Sequence, residues 1–169
     1  MGHHVRLFVG EAGAFALYRT LVPAMTLYRL RQSTEFAVLP LDDELQDRLH
    51  HAYGTGDWSE NGGPRLSSSD MTFAARASSA APLAYLETDY FGGTGLQHAV
   101  LWRAGALTIG PMTLDVQLSQ QRPTSLWPIN VVLRTLGVAA TLHEDEFIRL
   151  GLGEYRSNED ILGRAKRSD

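Results

Sequence analysis

At 169 residues with 44% hydrophobic content, the chain can bury one substantial core, so a single domain over 1–169 is expected, with 1–4 a tag remnant or disordered start and 163–169 a flexible tail. The balance of 15 basic against 19 acidic residues leaves a formal charge of −4, which excludes a general nucleic-acid surface because no basic excess offsets phosphate repulsion. The absence of cysteine excludes disulfides, zinc–thiolate sites and thiol catalysis.

Residues 5–9 (VRLFV) form a short β-rich run that stops at Gly10, as a buried first strand would. Residues 12–20 are alanine-rich, with Phe15 and Tyr18 at helical spacing, and Pro23 closes that helix. Two short strands, 26–30 and 36–39, are expected as a hairpin around the polar segment 31–35. Asp42 or Asp43 then caps a helix whose Leu45, Leu49 and Ala52 form a stripe, and Gly54 ends it. Residues 54–69, rich in Gly and Ser and carrying Trp58, read as a surface loop. Ser69 is the expected cap of a helix running to Ala77, and Pro82 separates that helix from the centre of the chain.

Residues 83–102 (LAYLETDYFGGTGLQHAVLW) hold two apolar-rich runs around Gly92, Gly93 and Gly95, which predicts a β-hairpin. A further turn at Ala104 and Gly105 adds the run 107–109, giving a three-stranded meander. Thr124 or Ser125 opens a helix with Pro128 in its first turn, an apolar face of Ile129, Val132, Leu133 and Leu136, and Gly137 at its end. Helical turns are expected near 144–150 and after Ser157, where Ser157 and Asp160 have the spacing of a capping pair. Isolated strand–helix steps beside a run of hairpins predict an α+β domain, a mixed sheet with a central antiparallel meander covered by helices.

The compact polar constellation lies in the hairpin. Side chains alternate along a strand, so Tyr85, Glu87, Asp89 and Phe91 share one face, with the two carboxylates about 7 Å apart. If Gly92 to Gly95 form the turn and Phe91 pairs with Leu96, Asp89 lies opposite His98 and Glu87 opposite Val100. Glu87, Asp89 and His98 are then candidate catalytic residues for acid/base work or part of a metal site, with Asn130 or Arg134 above them. A loop one residue longer or shorter would move His98 to the other face. Burial of the carboxylates in ordinary ion pairs would remove the basis of that enzyme reading.

Gly10 and Gly13 lie at a strand-to-helix turn, where free backbone N–H groups hold phosphate in nucleotide-binding proteins. The dinucleotide fingerprint is incomplete, because Phe8 stands where another glycine belongs and Arg31 where an acid belongs. His50 and His51 are adjacent on a helix and point apart, so they do not make a zinc pair, and His3 and His4 are set aside with the N-terminal start. No metal or other cofactor is implied. Trp58, Tyr90, Asn130 and Arg134 are the candidate binding residues, since aromatics and arginine are enriched at interfaces.

No run approaches the roughly 20 apolar residues of a membrane span, and the N-terminus carries no secretory signal, so a soluble cytoplasmic protein without membrane partners is expected. Through residues 83–95, the WPIN motif at 127–130 and GLGEYRSNEDI at 151–161, the sequence resembles small uncharacterised bacterial proteins. Its size and acidity are similar to those of immunity proteins, which neutralise a toxin by covering its active surface. That resemblance implies a non-catalytic protein-interaction module. Its partner would be a protein such as a toxin, steered by Glu87, Asp89 and the acids at 144–146.

Overall fold

Strand β1 (His3–Glu11) is the central strand of a seven-stranded sheet, ordered β6-β5-β4-β1-β3-β2-β7 in the computed structural model, which describes residues 2–21, 26–30, 35–56, 63–117 and 123–168. The other strands are β2 (Leu27–Arg29), β3 (Phe36–Pro40), β4 (Leu83–Phe91), β5 (Thr94–Arg103), β6 (Ala106–Asp115) and β7 (Lys166–Ser168). Trp58 and residues 31–34 of the expected hairpin loop lie outside the described residues.

Helices cover both faces. Phe8, Tyr85, Val100 and Trp102 pack on one side against Tyr18 of α1 (Ala16–Leu21), Leu45 and Leu49 of α2 (Asp43–Tyr53), and Phe73 of α3 (Ser68–Ala77). Leu7, Val9, Leu86 and Leu101 pack on the other against Ile129, Val132 and Leu133 of α4 (Pro128–Leu136), Leu150 of α5 (Glu146–Leu150) and Ile161 of α6 (Asn158–Arg164). Burial on both sides explains why β1 and β4 read as nearly continuous apolar runs rather than alternating ones.

The chain is α+β, with the expected antiparallel meander at β4–β5–β6. The sheet is antiparallel throughout its named ladders rather than mixed, and a lone parallel bridge joins His4 to Ser157. The strand–helix–strand step from β1 through α1 does return β2 in the direction of β1. However, β3 inserts between them and pairs antiparallel with both.

Three local readings change. Ser67, not Ser69, caps α3, because Ser67 and Asp70 form a reciprocal capping box that Ser69 has no acid in position to complete. Residues 1–4 are not all a disordered start: His3 and His4 belong to β1, and His3 is only 7% exposed. The ring of His3 donates from Nε2 to the Leu152 carbonyl, so its Nδ1 accepts from the Thr88 hydroxyl at 2.7 Å. Nor is 163–168 a free tail, since Gly163 and Arg164 close α6 and Lys166–Ser168 pairs with β2.

Candidate functional site

A polar row crosses four strands where the α1–α3 core ends. In register, Arg6 of β1 faces Glu87 of β4, Glu87 faces His98 of β5, and His98 faces Thr113 of β6. One step toward the core the same strands present Phe8, Tyr85 and Val100, which are buried. One step toward the strand ends, His4 faces Asp89 and Asp89 faces Leu96.

The hairpin turn sets this register. It consists of Gly92 and Gly93 alone, with φ of 62° and 85°, the positive values a two-residue hairpin turn of this hand requires. Thr94 and Gly95 belong to β5, so Phe91 pairs with Thr94 and the ladder is shifted by two residues from the expected pairing. An even shift preserves side-chain parity, and His98 therefore stays on the carboxylate face. Its partner across the ladder is Glu87 rather than Asp89.

Arg65, in the segment before α3, closes over this row. Its Nε donates to Glu87 Oε1 at 2.5 Å and its backbone N–H to Oε2 at 2.8 Å, while the Tyr85 hydroxyl also donates to Oε2 at 2.8 Å. Burial alone would raise the Glu87 carboxyl, but these donors and the Arg65 charge hold it below its ordinary value. The Arg65 guanidinium loses some hydration, yet the bond to Glu87 outweighs that and raises its pKa. Burial, then the neighbouring Glu87 charge, pushes the Tyr85 hydroxyl well above its usual range.

His98 forms a hydrogen bond of 2.8 Å with Thr113 Oγ1. Burial lowers its pKa, against an upward pull from Glu87 and with a downward push from Arg65. Asp89 is more than half exposed, with its oxygens 3.4 Å from His4 Nδ1 and 3.6 Å from Arg65 Nη2.

The remaining candidates lie elsewhere. Asn130 and Arg134 sit on α4, on the opposite side of the sheet from Glu87, and do not close over the hairpin face. Asn130 is a buried connector, donating to the Thr124 carbonyl at 2.9 Å and accepting from Phe147 N–H at 2.8 Å. Arg134 donates from Nε to Glu146 Oε1 at 2.6 Å. Buried Glu87 and Glu146 are thus both held by arginine, and do not face solvent to steer a partner. Tyr90 is turned inward and accepts from Gln97 Nε2 at 2.6 Å; burial drives its hydroxyl up to about 12, against the lowering effect of that bond.

Gly10 is enclosed at the end of β1, whereas Gly13 is exposed and a Cβ there would meet only Ala81 Cβ at 3.8 Å. A Cβ on Gly10 would meet Ala14 Cβ and the Pro82 carbonyl oxygen at 3.0 Å, so this glycine serves close packing. The loop cation Arg65 and the cross-strand partners Arg6 and Thr113 are absent from the sequence reading, although the alternation that places Glu87 also places Arg6 and Thr113 once strand order is known. Among the described residues no group of three or more His, Asp or Glu side chains could hold a metal ion. No helix among them is long and apolar enough to cross a membrane. The chain matches no family model, no curated protein and no solved structure.

Proposed function

We propose that the chain is a non-catalytic protein-interaction module of bacterial type, acting in the cytoplasm, that meets its partner with the turn end of the β4–β5 hairpin. The observation that carries this reading is Phe91. It is 79% exposed at the end of β4, on the same strand face as half-exposed Asp89, with His4 and Arg65 around that carboxylate. An exposed aromatic rimmed by charge is the anatomy of an interface anchor. Acid/base chemistry finds no support at this face, because both oxygens of Glu87 already accept hydrogen bonds from Arg65 and Tyr85.

The resemblance to immunity proteins gives this module a mechanism: it would cover the active surface of a toxin. Of the acids expected to steer such a partner, Asp89 is the one placed beside Phe91, so steering is local to the hairpin end. Titration calorimetry of the purified chain against candidate toxins from its gene neighbourhood tests the reading. A one-to-one complex is expected, and Phe91→Asp should weaken it by about thirtyfold or more, as loss of an aromatic anchor does, without lowering Tm. A complex insensitive to that substitution, or no complex at all, would sink the proposal.

A further inference from the structure

A cleft of about 400 Å³ lies beside the Arg6 end of the polar row, with Arg6 and Arg65 on one wall and Gln46 and His50 of α2 on another. The two α2 residues are four apart and share a helix face. Glycine and serine positions complete the walls at Gly56 and Ser67, where the Gly56 carbonyl accepts from Ser68 N–H at 2.8 Å. The volume falls within the range of small-molecule sites, about 300–1,000 Å³.

The charges are unevenly matched. Glu87 compensates Arg65 directly, whereas Arg6 makes no ion pair with a carboxylate among the described residues. Arg6 donates from Nη2 to the Arg65 carbonyl at 2.7 Å and lies beside the Tyr85 hydroxyl, but its Nε is buried without a hydrogen-bond partner. The same holds for His50 Nε2. Asp70 of α3 accepts at one oxygen from Ser67 N–H and Gln46 Nε2 and does not line the cleft. No acidic side chain is among the described residues that do. In a chain of formal charge −4, this is a local concentration of cationic and neutral polar groups.

Buried donors without acceptors are uncommon because each loses its hydration uncompensated. An oxyanion at the Nε edge of Arg6 would supply the missing acceptor, with the planar guanidinium suited to carboxylate and phosphate alike. We propose that this cleft binds a small oxyanion-bearing molecule, a carboxylic acid or a phosphate ester, with Arg6 as its anchor and His50 and Gln46 as flanking polar contacts. The site adjoins the Phe91 surface through Arg65, but its occupant is a small molecule, not the protein partner.

The test is titration of the purified full chain with inorganic phosphate, glycerol phosphate and citrate, followed by NMR of the arginine Nε–H and the α2 backbone. Sodium chloride at matched ionic strength serves as the control. A saturable shift at Arg6, Gln46 and His50 with at least one probe is expected at concentrations up to about 10 mM, and the probe that saturates first separates phosphate from carboxylate recognition. Arg6→Gln should abolish the response, and His50→Phe should weaken it about tenfold. No saturable shift with any probe, an equal shift with chloride, or a full response in Arg6→Gln would overturn the proposal. Should Arg6→Gln fail to fold, unchanged affinity in both Gln46→Ala and His50→Phe would overturn it equally.

Discussion

Glu87 and His98 stand directly opposite each other on β4 and β5, yet each hydrogen-bonds to other neighbours: Glu87 to Arg65 and Tyr85, His98 Nδ1 to Thr113. The pair therefore works as the inner wall of a structural lock. Arg65, brought from 22 residues upstream, fastens the segment before α3 onto the sheet through both its side chain and its backbone.

Glu87→Gln should consequently destabilise the fold rather than abolish a reaction. Removing one member of a buried ion pair commonly costs about 3–5 kcal/mol. Arg65 is 47% exposed and can regain water, so the expected loss is smaller, about 2 kcal/mol. Urea unfolding measures it, and Arg65→Ala in the same background should add little, because the two act as one unit. Full additivity of the two substitutions would show that the lock contributes nothing.

Stability should fall on the acid side of neutrality. His3 and His98 both have pKa values lowered from 6.5, first by burial; the Leu152 carbonyl pulls His3 upward and Glu87 pulls His98 upward. A histidine that resists protonation when folded binds fewer protons than the unfolded chain. Its stabilising contribution is complete above 6.5 and is lost as pH falls from there toward the lowered value, at no more than about 1.4 kcal/mol per pH unit for each ring. Glu87, lowered from 4.5, adds a second loss below that value as its carboxyl protonates. Urea midpoints measured on either side of 6.5 should differ, and His3→Gln with His98→Gln should flatten the upper part of the profile. A profile unchanged by that double substitution would refute the assignment.

The hairpin was legible because alternation and glycine content are local signals, and its register failed at Gly95 because glycine alone does not say where a turn ends. Gly92 and Gly93 are the turn; Gly95, at φ 148°, is a strand residue made necessary by close backbone approach. Parity saved the face of His98 even as its partner changed from Asp89 to Glu87. The Ser67–Asp70 capping box was also written in the sequence, at the spacing that defines it. Arg65 over Glu87, Asn158 between two strands and Asn130 beneath α5 were not, since each joins segments whose proximity depends on the whole topology.

Substitutions at these glycines should separate turn strain from steric conflict. A Cβ on Gly93 would meet nothing within 4 Å, so Gly93→Ala bears only the cost of positive φ, about 1 kcal/mol. A Cβ on Gly95 would overlap the Asp89 carbonyl oxygen and come within 2.7 Å of Tyr90 Cα. Gly95→Ala should therefore lose several times more stability than Gly93→Ala, with loss of amide protection along β4 and β5 in hydrogen exchange. Equal effects at the two positions would contradict the shifted register.

Asn158 provides the longest-range test. Its Oδ1 accepts from Arg6 N–H at 2.9 Å, and its Nδ2 donates to the carbonyls of Arg6 and Leu41 at 2.8 and 3.1 Å. One amide side chain at the start of α6 thus substitutes for strand pairing where β1 and the end of β3 diverge. Asn158→Ala leaves Arg6 N–H and the Leu41 carbonyl without these partners, while the Arg6 carbonyl still accepts from Leu41 N–H at 2.8 Å. Two groups losing their partners predict a cost of about 2–4 kcal/mol. Asn158→Asp retains the acceptor but turns a second carboxylate oxygen toward two carbonyls, so it should be at least as damaging despite its similar shape. Thermal unfolding of both variants decides the point: an aspartate variant as stable as the parent would mean that Asn158 does not bridge these strands.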